Sequence, residues 1–151
     1  MPLKRTKHWA TRELHHYLQS NKDTPFAWGT FDCCLFPASA IEAMTGIDLA
    51  AAFRGQYHDQ ASALALIKKI TGGTTVSDAA AWCASQHHLP ELQHPLMAQR
   101  GDLVIVNNPG ATGVAGQIAG LVHLTGRHVV SVGESGLIKL CITNVVRAWR
   151  V

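Results

Sequence analysis

The sequence predicts an α+β fold, with N-terminal helices packed on a C-terminal antiparallel sheet. Two patterns carry that prediction. Apolar residues recur at helical spacing as far as residue 88, and short β-branched runs replace them after Pro95. Glycines then recur from Gly101 to Gly136, where hairpin turns would use them. A hydrophobic content of 47% in 151 residues supports one ordinary core. The expected organisation is therefore a single domain over 1–151, with a leading helix in 1–24, a helical part in 25–95 and a sheet in 96–151.

The first helix is expected over 7–20, where Trp9, Leu14, Tyr17 and Leu18 share a face. "NKDTP" breaks it. The second begins near Asp32 and ends at Gly46, with Pro37 in its early turns, where a missing N–H costs little. A third spans 59–71 and closes at Gly72 and Gly73, and a shorter one covers "VSDAAAWCASQHH". "GDLVIVN" reads as a strand, "QIAGLVHLTG" and "RHVVSVG" as a hairpin, and "GLIKLCI" and "VVRAWRV" as further strands. The segment "NNPGATGVAG" lacks a phosphate-loop lysine and reads as a hairpin tip suited to subunit contacts.

The formal net charge is +3, and Lys4, Arg5 and Lys7 form the one local basic cluster, read as a solvated terminus. Without a basic stripe interleaved with aromatics, nucleic-acid binding has little support. No apolar run approaches the ~18 residues of a membrane span. The charged N-terminus lacks a following apolar stretch, so no secretory signal is expected, and the four cysteines are expected to stay reduced in the cytoplasm.

The sharpest chemical feature is "WGTFDCC". A thiol in a first helical turn sees the positive end of the helix dipole, which favours the thiolate. Asp32 is placed to cap that helix. Hydrolysis by Cys33 also needs an imidazole within reach. Small buried residues are the plain alternative for Cys33 and Cys34. Metal binding has weaker support: Cys83 and His87 stand at i, i+4, but there is no C-x-x-C pair, and no metal or cofactor is expected.

Trp28-Gly29, Asp32-Cys33, a helix ending "MTG", Gly101-Asp102-Leu103 and Ile118-Ala119-Gly120 occur in that order over about residues 25–132. This arrangement resembles the NlpC-type cell-wall cysteine peptidases. That resemblance implies a papain-like domain that cuts peptidoglycan stem peptides, with Cys33 as nucleophile. The C-terminal "GESGLIKL" and "RAWRV" resemble a subgroup found among tailed-phage tail-tip genes. The family histidine would stand at Ile118 and its orienting polar partner near Val130, and both residues are apolar. His123 and His128 are the displaced candidates for the base. A regular strand turns His123 to the face opposite Ile118, so its use would need a bulge.

The resemblance thus implies a structural tail-tip or tail-assembly protein with a degenerate peptidase fold. Such a protein would be made in the host cytoplasm and incorporated into the virion tail. Its partners would be other tail-tip proteins, with peptidoglycan as a further candidate. An active peptidoglycan endopeptidase and a metal- or ligand-binding module are the competing expectations.

Overall fold

The helical half owes its boundaries to local hydrogen bonds that the sequence supplies. A computed structural model of the chain describes residues 3–108 and 116–151. A π-helical turn, Trp9–Glu13, runs into α1, Leu14–Asn21. The helices α2 (Leu35–Thr45), α3 (Gln60–Thr71) and α4 (Val76–Gln86) follow. Asp59 caps α3 and Thr75 caps α4, each in a reciprocal capping box with the residue three positions on. Gly46 and Gly72 end α2 and α3 in the left-handed region, at φ +79° and +77°. Pro37 falls in the first turn of α2.

The second half forms β1 (Leu103–Asn107), β2 (Gln117–Val122), β3 (His128–Gly133), β4 (Gly136–Cys141) and β5 (Val145–Trp149). These make one antiparallel sheet in the order β4-β3-β2-β1-β5. The fold is therefore α+β. β1 is buried on both faces along Leu103–Val106, which is why it reads as an unbroken apolar run. Helices α2 and α4 pack on β2, α2 also reaches β3, and α3 packs on α4. Leu14, Phe36, Ile41 and Met44 join the strand residues in one core.

Asn108 N–H donates to Gly116 O at 2.8 Å. Residues 109–115 of the expected hairpin tip lie outside the described residues. Among the described residues, no helix is long and apolar enough to cross a membrane.

Candidate functional site

Asp32 organises the loop that carries Cys33. Its side chain is 1% exposed. Oδ1 accepts from the N–H groups of Cys34 at 3.0 Å and Leu35 at 2.9 Å, while Oδ2 accepts from Gly29 N–H at 3.0 Å and from the Tyr57 hydroxyl. The Asp32 carbonyl accepts from Phe36 N–H at 2.9 Å, so Asp32 caps the turn that becomes α2. Regular helix starts at Leu35, and Cys33 and Cys34 occupy the preceding turn, a shift from the first-turn position expected for Cys33. Gly29 has φ +80°, and a Cβ there would lie 2.2 Å from the Tyr57 carbonyl oxygen. Close backbone approach therefore requires the glycine.

Cys33 is 2% exposed and lines an apolar cavity of about 60 Å³. Trp28, Cys34, Cys83, Leu103 and Ala119 share that cavity, and exposed Gln60 and Leu64 of α3 stand at its rim. Trp28 packs edge-on against Phe26, with ring centroids 5.0 Å apart. Two of the cavity thiols, Cys34 and Cys83, are held against ionisation. A hydrogen bond with the Cys33 thiol, followed by burial and the nearby Asp32 charge, pushes the Cys34 thiol well up. Burial pushes the Cys83 thiol up to about 12. Tyr57 is also pushed up, by burial and then by Asp32, which keeps its hydroxyl a donor to the carboxylate.

Among the described residues, no imidazole lines this cavity. The β2 residue that lines it is Ala119; Ile118, the position expected to replace the histidine, is buried but is not among the lining residues. Val130 is buried opposite Leu121 in the β2–β3 pairing. His123 and His128 instead close the β2–β3 turn. His123 N–H donates to His128 O at 2.8 Å, His123 Nδ1 accepts from Thr125 N–H at 3.1 Å, and His128 Nδ1 lies 3.0 Å from Thr125 Oγ1. His123 is four residues beyond Ala119, about 13 Å at ~3.3 Å per residue along a strand. Its pKa is lowered by burial and then by Lys139 and His128.

The remaining motif residues have structural work. A Cβ on Gly120 would lie 2.7 Å from Val129 Cγ1 and 2.8 Å from Val130 O, so the glycine lets β3 approach β2. Beside it, the buried Ser131 hydroxyl donates to Ala119 O at 2.7 Å. Gly101 adopts φ +83° beneath Arg5 and Trp9. Asp102 is fully buried and joins distant parts of the chain. It accepts from Arg5 Nη2 at 3.1 Å, Arg150 Nε at 2.9 Å, Gln99 N–H at 2.9 Å and Val151 N–H at 3.1 Å. Tyr57, Arg5 and Arg150 were not legible as partners of the motif aspartates, because no local pattern marks such distant pairings.

Among the described residues, no group of three or more His, Cys, Asp or Glu side chains gathers to hold a metal ion. No curated protein and no solved structure gives a significant match to the chain. A family model described as a domain of unknown function, DUF6950, matches residues 4–151. That match spans nearly the whole chain, which therefore belongs to the DUF6950 family.

Proposed function

We propose that the chain is a non-hydrolytic, NlpC-type papain-like domain that serves as a structural tail-tip or tail-assembly component of a tailed phage or prophage. The carrying observation is the setting of Cys33. It is buried in an apolar cavity whose lining, among the described residues, holds no imidazole and presents Ala119 from the central strand. Amide hydrolysis needs a base to activate the thiol and an acid to protonate the leaving amine, a contribution of ~10²–10⁴-fold. Among the described residues no imidazole lines the cavity to play either part, and the Asp32 carboxylate and Tyr57 hydroxyl are engaged with each other. The NlpC-type assignment is supported by the element order, with a capped cysteine turn leading into α2 against β2 and "GDL" opening β1.

The tail-tip role rests on the sequence resemblance of the C-terminal segment, and it is tested separately from catalysis. Purified peptidoglycan incubated with wild type or Cys33→Ala is expected to release no soluble peptide above the buffer control. Release by wild type that disappears in the variant would restore the active peptidase. Particles purified from an induced lysogen are expected to retain the chain in the tail fraction, read by mass spectrometry. Its absence from those particles would overturn the structural role.

A further inference from the structure

Three guanidinium groups, those of Arg5, Arg100 and Arg150, converge beside the start of β1. Arg5 and Arg150 both donate to buried Asp102, and Arg5 Nη1 also donates to Arg100 O at 2.8 Å. The Arg5 and Arg100 guanidinium groups lie 4.2 and 5.7 Å from the centroid of the Trp9 ring. Lys4 and Lys7 flank Arg5 and are exposed. Asp102 balances one of the three guanidinium charges, leaving a surplus of two, and the exposed Lys4 and Lys7 add positive charge on either side of Arg5 in the sequence. The adjacent Arg12 is paired with Glu13 at 2.7 Å and adds nothing to the surplus.

The same cluster carries two protruding apolar side chains. Leu96 and Met97 are 56% and 53% exposed on the 3-10 turn Pro95–Met97. Arg150 Nη2 donates to Met97 O at 3.0 Å, fixing that turn against the cation cluster. Solvent alone gives no reason to mount two large apolar side chains together on a short turn.

We propose that this patch is a docking surface for an anionic lipid bilayer. The cations would engage headgroups while Leu96 and Met97 enter the interfacial layer. Charge complementarity selects an anionic surface, because Lys4, Lys7 and Arg100 have no carboxylate partner among the described ion pairs. A bilayer is favoured over an acidic protein by the form of the apolar part. Two adjacent flexible side chains exposed on a short turn suit shallow insertion. Exposed lysines are also depleted in protein interfaces. The inference does not depend on the tail-tip reading or on the chemistry of Cys33.

The test is co-sedimentation of the full chain with vesicles of phosphatidylcholine alone or with about one-third phosphatidylserine. Binding is expected only to the anionic vesicles and is expected to weaken steeply between about 0.05 and 0.5 M salt. Leu96→Ser with Met97→Ser should lower the partition coefficient by about tenfold or more. Lys4→Gln and Lys7→Gln should each lower it about fivefold. All four side chains are exposed, so an unchanged thermal midpoint serves as the folding control. Failure to bind anionic vesicles would overturn the proposal, as would binding indifferent to the Leu96 and Met97 substitutions. Capture by immobilised polyglutamate with no vesicle binding would replace the bilayer with an acidic protein.

Discussion

Asp32 and Asp102 are both buried motif aspartates, and each accepts four hydrogen bonds, yet they hold the molecule together in different ways. Asp32 draws on three nearby backbone N–H groups and one tyrosine hydroxyl, with no cation. It fixes a local loop and leaves a negative charge beside the cavity thiols. Asp102 draws on two guanidinium groups and two backbone N–H groups, reaching 97 residues back to Arg5 and 48 forward to Arg150. It ties both ends of the described chain to the start of the sheet. The comparison teaches that a motif residue can be structural without serving the chemistry its motif suggests.

The largest effect is expected at the long-range junction. Asp102→Ala would leave two guanidinium groups facing one another without their carboxylate, at a cost of about 3–5 kcal/mol. The lower end is expected, because the Arg5 and Arg150 side chains keep 16% and 30% exposure. Urea unfolding measures this, and a loss below about 1 kcal/mol would remove Asp102 from its role as a junction. At the local site, Tyr57→Phe deletes one charge-assisted hydrogen bond and keeps the ring in place. A loss of about 1.5–3 kcal/mol is expected. If Tyr57→Phe proved costlier than Asp102→Ala, the ranking of the two sites would be reversed.

Thiol chemistry sharpens the comparison next. Cys33 and Cys83 are buried and Cys34 is half-buried, whereas Cys141 is exposed. A hydrogen bond from the Thr143 hydroxyl, 3.1 Å from Sγ, lowers the Cys141 pKa. An aromatic disulfide reagent near neutral pH should modify Cys141 first, and Cys141→Ser should abolish the fast phase. A fast phase that survived this change would mean that the cavity thiols are accessible.

The smallest effect concerns acid. Asp48 is held below the ordinary carboxylate range first by its hydrogen bond with Arg54. The Ser62 N–H does the same for Asp59, and the Thr74 N–H for Asp78. For a depressed carboxylate, stability is fully present above the unfolded value, ~3.9 for aspartate, and is lost as pH falls through the folded value. The urea midpoint should therefore be level from about pH 7 to pH 5 as far as these groups are concerned, and should drop below about pH 4. A midpoint that rose on acidification would contradict these three assignments.

The legible parts of the fold were those with local causes. Gly46 and Gly72 mark helix ends because only a residue without a Cβ adopts the left-handed turn easily. The strands of the second half were visible as short β-branched runs between glycines. The face of β2 was less legible. In "QIAGLV" every residue after Gln117 is buried, so alternation cannot distinguish the cavity side from the opposite side. Ala119, not Ile118, proved to line the cavity with Cys33.

By itself the sequence determined the order of helices and strands, the cap at Asp32, and an isoleucine in place of histidine at position 118. These follow from short-range sterics and hydrogen bonding, which act within a few residues. Only the tertiary structure decided that the Cys33 thiol is buried, that Tyr57 completes the Asp32 site, and that Arg5 and Arg150 meet at Asp102. Those outcomes depend on burial and on contacts between distant segments. A side chain's solvation and partners are set when the chain closes on itself, and no local pattern encodes them.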